Sequence, residues 1–564
     1  MKKLILTVAI LINLSFAGFS QSGIPNFLQG FSGEVFKLSG DIVTYGELYS
    51  ISGREQRRPS STARLFFRPT ISIYNLMSVS FNFLLSTQGN TRSFQHQINQ
   101  INQFGIQPKW AWGYANAGDF SESYTPYTLN GILVRGGSIT INPGLLRFSA
   151  IGGYTRRTNT FGGTGKFDRY LYGGRIGVGN KESYFDVIFL RVRDTPSKFH
   201  IVVPDSIPVL DSTQVGTISN PYQDTPQENL VFGIATSLNM FEDAVNIQAE
   251  VNGSAYTRDM TSSRINQVKV PSIISTFYTP RLSTNSDYEY NIKMNFNLYP
   301  AILKAGYRYI GPGYKSLGVA SLITDQREIS IGTGLRFSKW SMMLNWSRQN
   351  DNLLKQKLST TVRQAFGGNI MIRPLDIWSM GITGNILTMR NYLNQSANLV
   401  DFYTLNLGTT HSVMINREGL FRNFSLSYIF QKSKDNNPLR AQNGFTSNMI
   451  TSNVLLIPLE NFTVQPSGSI VASKIGIQPV TYTETLSTTA YYRTLANKLV
   501  ASLTIGLTRY KSVASLQTNL SAIYRLTDFN TITVSLRRNG YQSYTKYGTD
   551  YSEYTASITM TQKL

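Results

Sequence analysis

The chain has 564 residues, 53 Lys and Arg against 32 Asp and Glu, a formal net charge of +21, and no cysteine. The missing cysteine excludes a lipid-modified N-terminus and a disulfide framework. A charged fraction of only 15% beside 12% aromatics argues against an ordinary secreted soluble protein.

The chain opens with the pattern of a secretory signal: Lys2 and Lys3, an apolar stretch over 4–14 broken by Thr7 and Asn13, then the small residues Ser15, Ala17, Gly18 and Ser20. Residues 1–20 read as a signal peptide cut after Ser20, with Ala17 as the alternative, and 21–36 as a short lead. Beyond it no run reaches the ~20 apolar residues of a membrane helix. Without Lys2 and Lys3 the balance is 53 − 2 = 51 bases against 32 acids, or +19. On an exported chain such charge points away from nucleic acid and toward lipid phosphates, lipopolysaccharide or anionic solutes.

From about Lys37 to the end, apolar and polar residues alternate in short runs. Met77, Val79, Phe81, Phe83 and Leu85 alternate with Ser78, Ser80 and Asn82. Over 288–298 the even positions are Tyr288, Tyr290, Ile292, Met294, Phe296 and Leu298, and the odd ones Glu289, Asn291, Lys293, Asn295 and Asn297. The pattern returns over 328–337 and 499–508, and over 554–561 Tyr554, Ala556, Ile558 and Met560 oppose Thr555, Ser557, Thr559 and Thr561. A period of two is a strand with one face to lipid and one to a lumen; a helix would scatter both sets around its circumference. Only a closed barrel takes strands through a bilayer with every backbone group paired.

Short connectors at Asn142-Pro143-Gly144, Tyr299-Pro300, Ser338-Lys339 and Thr527-Asp528 alternate with long polar segments near 88–103, 195–227, 259–283 and 433–444. A first count gives about 25 strands, and bacterial single-chain barrels have even numbers. Treating 104–117 as a hairpin turning near Lys109-Trp110 reconciles the alternation of turns and loops. The reading is an all-β fold, a single antiparallel transmembrane barrel over 37–564 with about 26 strands (24 as the alternative), in the outer membrane.

The runs 102–114 (NQFGIQPKWAWGY), 127–154, 226–233 (PQENLVFG) and 311–318 (GPGYKSLG) resemble a group of Bacteroidota outer-membrane proteins of unassigned function. The resemblance implies fold and location and brings no binding or catalytic residues with it.

Chemistry is sparse. His96, His200 and His411 lie far apart and without metal-ligand spacing. Residues 162–166 (GGTGK) imitate a phosphate loop, but Thr160 and Phe167 stand where Gly and Ser/Thr belong. Asp205, Asp211 and Asp224 share one loop without the spacing of a calcium loop. No enzyme, cofactor or metal is expected. The informative signal is the phase of the charges. Arg147, Arg169, Arg175, Lys293, Lys304, Arg308, Arg336, Arg525 and Arg537 oppose their apolar neighbours and so point inward, with Glu250, Glu289 and Glu328 in the same phase. The alternative role of these bases is to pair with acidic neighbours or lumenal loops. Trp110, Trp112, Trp340, Trp346 and Trp378 suit interfacial girdles.

Two functions follow as expectations. One is a porin-like channel for polar or anionic solutes. The other is a non-transport anchor for a surface or secretion complex. In both, lipid and the barrel-insertion machinery are partners. An energised receptor with a large N-terminal plug is disfavoured, since only some 15 residues separate the expected signal from the first strand.

Overall fold

The computed structural model describes residues 36–74, 76–87, 103–155, 167–196, 206–211, 214–219, 225–265, 277–393, 397–415, 419–494, 496, 498–543 and 549–564. The expected signal and lead up to residue 35, His96, His200, the 162–166 run, Asp205 and Asp224 lie outside them.

Twenty-six antiparallel strands form one sheet, from Phe36–Ser52 to Tyr551–Lys563. The first strand pairs with the second, Ser61–Ile73, along one edge and with the last along the other, where Asp41 faces Lys563 and Ser52 faces Ser552. The sheet is therefore closed, and no edge is left with unpaired amides. A separate two-stranded hairpin, Ser206–Asp211 with Gln214–Ser219, lies within one long connection.

The doubtful stretch resolves as a hairpin. Strand Gln103–Trp110 pairs with Gly113–Ser121 down to Trp110 opposite Gly113, so the chain reverses at Ala111-Trp112, two residues beyond the expected place. At the next short connector Gly144 takes φ 62°, a left-handed conformation that glycine adopts without strain, and Leu146 donates to the Pro143 carbonyl at 3.2 Å. One expected loop is shorter than read: 433–435 belong to strand Phe421–Asp435, and the connection begins at Asn436.

The outer band of the wall is apolar. Ile176, Phe232, Val251, Tyr288, Met294, Ile331, Ile450 and Leu486 are all exposed, as a lipid-facing surface requires. Aromatics collect toward both rims. On the loop side Tyr288, Tyr290, Tyr307 and Tyr309 stack with ring centroids 5.2–6.1 Å apart. On the short-turn side lie Trp110, Trp112, Trp340 and Trp378. Trp346 is the exception: it sits mid-strand in Trp340–Asn350, opposite Ile331 and Phe366. A closed barrel with this outer band, short turns at one rim and long loops at the other is an outer-membrane barrel.

Candidate functional site: the inner wall

In an antiparallel pair, residues directly opposite one another share a face. Followed strand to strand around the wall, the registers carry Arg147, Arg169, Arg175, Lys293, Lys304, Arg308, Arg336, Arg525 and Arg537 onto one continuous face. Two connections lie against this same face, 122–132 and 311–325. Between them they reach side chains on seven consecutive strands, from Asn116 to Ser254, which requires the concave side of the wall.

These two inserts furnish one half of the interior. Glu122 accepts hydrogen bonds from Tyr114 (2.7 Å), Asn116 (3.3 Å) and Ser138 (3.3 Å). Leu129 and Leu317 pack with Val134, Ile151, Leu171, Leu190, Val192 and Val231 in a buried cluster. The inserts are also tied to each other: Asn130 N–H donates to the Gly318 carbonyl (2.9 Å), Ser316 to that of Thr128 (2.6 Å) and the Tyr314 hydroxyl to that of Tyr127 (2.9 Å). Asn229 bolts them to the wall. Its amide donates to Ser254 (3.0 Å) and the Lys315 carbonyl (2.9 Å), and its oxygen accepts from Leu317 N–H (3.0 Å). Gly318 is needed for the close approach, because a Cβ there would lie 2.6 Å from the Thr128 carbonyl oxygen and 2.5 Å from Leu190. Burial pushes the Tyr124 phenol up to about 12 and that of Tyr314 higher still, so both remain neutral; Tyr314 donates to Tyr127, and Tyr124 accepts from Ser149 at 3.2 Å.

Four of the nine bases belong to this furnished half and are ion-paired, sharing the three carboxylates of Asp186, Asp194 and Glu328. Arg147 donates from Nε and Nη2 to both oxygens of Asp186 at 2.8 and 2.9 Å, and Arg175 approaches the same carboxylate at 3.6 Å. Arg169 meets Asp194 at 2.9 Å, and Arg308 pairs with Glu328. Asp186 and Asp194 are therefore inward acids beyond the three read from the sequence; Asp41, Glu47 and Glu553 join them by register. Glu250 and Glu289 share the face and are bridged by Asn252, whose amide lies 3.4 and 2.7 Å from their carboxylates.

The other half, from about Trp340 to Lys563, carries no such insert among the described residues. Its inner face is a field of small polar side chains that hydrogen-bond across strands, as in Ser467–Ser487 (2.6 Å), Thr489–Thr504 (3.0 Å), Thr410–Ser427 (3.1 Å) and Asn406–Asn385 (2.7 Å). Where the two halves meet lies a groove of about 560 Å³. Lys293, Lys304 and Arg363 line it with Asn295, Asn345, Asn385, Ser330 and Ser347, over a floor that includes Gly306, Gly332 and Gly367. Among the described residues none of these three cations has a carboxylate within 4.0 Å, and the same holds for Arg336, Arg525 and Arg537. Arg336 and Arg525 end their strands at the short-turn rim, and Arg537 lies within strand Asn530–Ser543. Arg363 belongs to the site and was missed in the sequence, although Ala365 and Gly367 share its phase. His411 lies on the lipid face, stacked on Trp378 (6.2 Å).

No protein-family model and no curated protein matches this chain. Solved structures match in fold. The siderophore receptor PirA from Pseudomonas aeruginosa is 10% identical over 94% of this chain and 80% of its own, with a TM-score of 0.41. The P pilus usher PapC translocation pore is 10% identical over 94% and 100%, with a TM-score of 0.36. OccAB2 of Acinetobacter baumannii is 10% identical over 60% and 93%, with a TM-score of 0.29.

Proposed function

We propose that the protein is a passive outer-membrane channel for polar solutes with a preference for anions. The observation that carries this reading is the groove of Lys293, Lys304 and Arg363 on the boundary of the half-wall that carries no insert among the described residues, with no carboxylate within 4.0 Å of them there. Cations lining a water-filled path raise the local anion concentration, and the surrounding Asn and Ser side chains exchange hydrogen bonds with passing hydroxyls and carboxylates. No step in this reading requires a cofactor or a catalytic residue. The resemblance of 102–114 and 311–318 to Bacteroidota outer-membrane proteins supports the same location.

A second reading, an anchor for surface or secretion-complex proteins, is favoured by the two inserts bolted over the furnished half. Planar-bilayer recording of the purified chain separates them. Open conductance with a reversal potential displaced toward the anion supports the channel; a membrane that stays electrically silent, with the barrel folded, overturns it in favour of the anchor.

A further inference from the structure

Three lysines stand close together on the lipid-facing side of the wall. Lys432 and Lys434 share the face of Leu426 and Tyr428 on strand Phe421–Asp435, and Lys474 shares that of Ile470 on strand Phe462–Ile475. All are exposed on the outside of the wall. The register ties them together: Lys432 faces Thr446, and Thr446 faces Lys474. Two strand spacings separate them, roughly 9.6 Å, and Lys434 stands two residues further along, roughly 7 Å from Lys432. A four-carbon stem lets all three ammonium groups converge on one anion.

Height decides what that anion belongs to. The three lie within four residues of the loop-side ends of their strands, beyond the ~9–11 residues that cross the hydrocarbon. They therefore stand at headgroup level on the loop side, next to the exposed ring of Tyr482, which pairs with Ala472. Arg348 and Arg509 are outward at the same rim. The short-turn rim presents Trp110, Trp340 and Trp378 outward instead. Two outward acids lie near the group. Glu484, on the strand next to that of Lys474, faces Ile470, four residues from Lys474, and Arg509 on its other side. Asp401, at the loop-side end of the neighbouring strand Asp401–Met414, is held by Arg390 at 3.1 Å, and among the described residues Lys432, Lys434 and Lys474 enter no ion pair.

We infer that Lys432, Lys434 and Lys474 form a binding site for the phosphate of a lipid headgroup in the loop-side leaflet, with its acyl chains lying along Leu426 and Ile450. The site is independent of whether the barrel conducts. A phosphate carries the charge that three lysines complement and the oxygens that accept their hydrogen bonds, and the apolar band below supplies the surface for the chains.

The test uses the full folded chain in detergent, with bis-phosphorylated lipid A as the probe and bound lipid counted by native mass spectrometry. The wild type should hold lipid A, and Lys432→Gln/Lys434→Gln/Lys474→Gln should bind it at least tenfold more weakly, with unchanged migration of the unboiled barrel. Dephosphorylated lipid A should bind the wild type as weakly as the intact lipid binds the triple variant. Should the triple variant not fold, Lys474→Gln alone must show a several-fold loss. Equal binding by wild type and variant overturns the site. Equal binding of dephosphorylated lipid overturns the phosphate. Displacement of lipid A by millimolar inorganic phosphate shows a free-ion site and overturns the lipid.

Discussion

Met294 and Asn295 are adjacent in the chain and lie on opposite sides of the wall. Met294 faces Ile247 and Ala305 on the lipid side, while Asn295 faces Asn246 and Lys304 on the inner one. Their depth is nearly equal, so a charge placed at either tests the face alone. Met294→Arg should lose about 2–4 kcal/mol of folding free energy, the cost of Arg at mid-membrane on a lipid face. Asn295→Arg should fold at wild-type yield. The yields are read as the fraction migrating in the compact form without boiling, and equal yields would mean that the faces are reversed.

Ion preference should follow the unpaired cations and ignore the paired ones. Replacing Lys293, Lys304 and Arg363 together with Gln should lower anion-over-cation permeability, most clearly at low salt, because the Debye length grows from about 10 Å at 0.1 M to about 30 Å at 0.01 M. Adding Arg336→Gln at the short-turn rim should lower it further. Reversal potentials in asymmetric KCl give the answer. No change at low salt would make these cations structural.

Arg147 should behave in the opposite way. It is buried, and its partner Asp186 still more so. Arg147→Gln strips the carboxylate of its bidentate partner, at a cost near the low end of about 3–5 kcal/mol because Arg175 at 3.6 Å remains. Denaturant unfolding in detergent should show the loss, and Arg147→Met with Asp186→Leu should regain most of it only when Arg175→Met is added, because Asp186 also pairs Arg175. A stable Arg147→Gln variant with altered ion preference would place Arg147 among the conducting cations.

On the loop side, the connection 351–361 is closed by Asp325, which accepts N–H bonds from Asn352 (3.1 Å) and Leu353 (2.8 Å) and pairs with Lys357. Burial pushes the Asp325 carboxyl up, but the Lys357 ammonium and those two N–H groups outweigh it and hold it below its ordinary 3.8. Lys357, bonded to Asp325, is raised above 10.5. The depressed acid contributes fully above 3.8 and is lost as pH falls through its lower folded value. The raised base contributes fully below 10.5 and is lost as pH rises through its higher one. The protection of the Leu353 amide, its exchange measured against the unfolded-chain rate at the same pH, should therefore be high between these limits and fall beyond each, with the acid limb absent in Asp325→Asn. Protection below the acid limit equal to that between the two would exclude this latch.

The barrel was largely legible because most strands bury neither face in protein, so the period of two survives in the sequence, as in 288–298. It fails where the inserts lie. In strand Tyr184–Pro196 the inner residues Leu190 and Val192 are covered by Leu129 and Leu317 and Ile188 is buried beside them in the chain, while Phe185, Val187 and Phe189 face lipid. Both faces are apolar, the alternation disappears, and Asp186 and Asp194 lose the phase that would have marked them as inward. The inserts were hidden for a related reason. Tyr127, Leu129, Tyr314 and Leu317 belong to irregular backbone, where burial leaves no periodic trace. The run 311–318, visible only as a signature, is one of these inserts.

The pairing of Asp41 with Lys563 sets a condition on biogenesis. These partners are 563 − 41 = 522 positions apart, so the seam cannot form until the ribosome has finished the last strand and the whole chain has reached the membrane. Until then the first strand presents a row of unmatched amides, with nothing of its own to meet. Some other agent must shield that edge throughout export, and the final event in making the protein is the zipping together of its two ends.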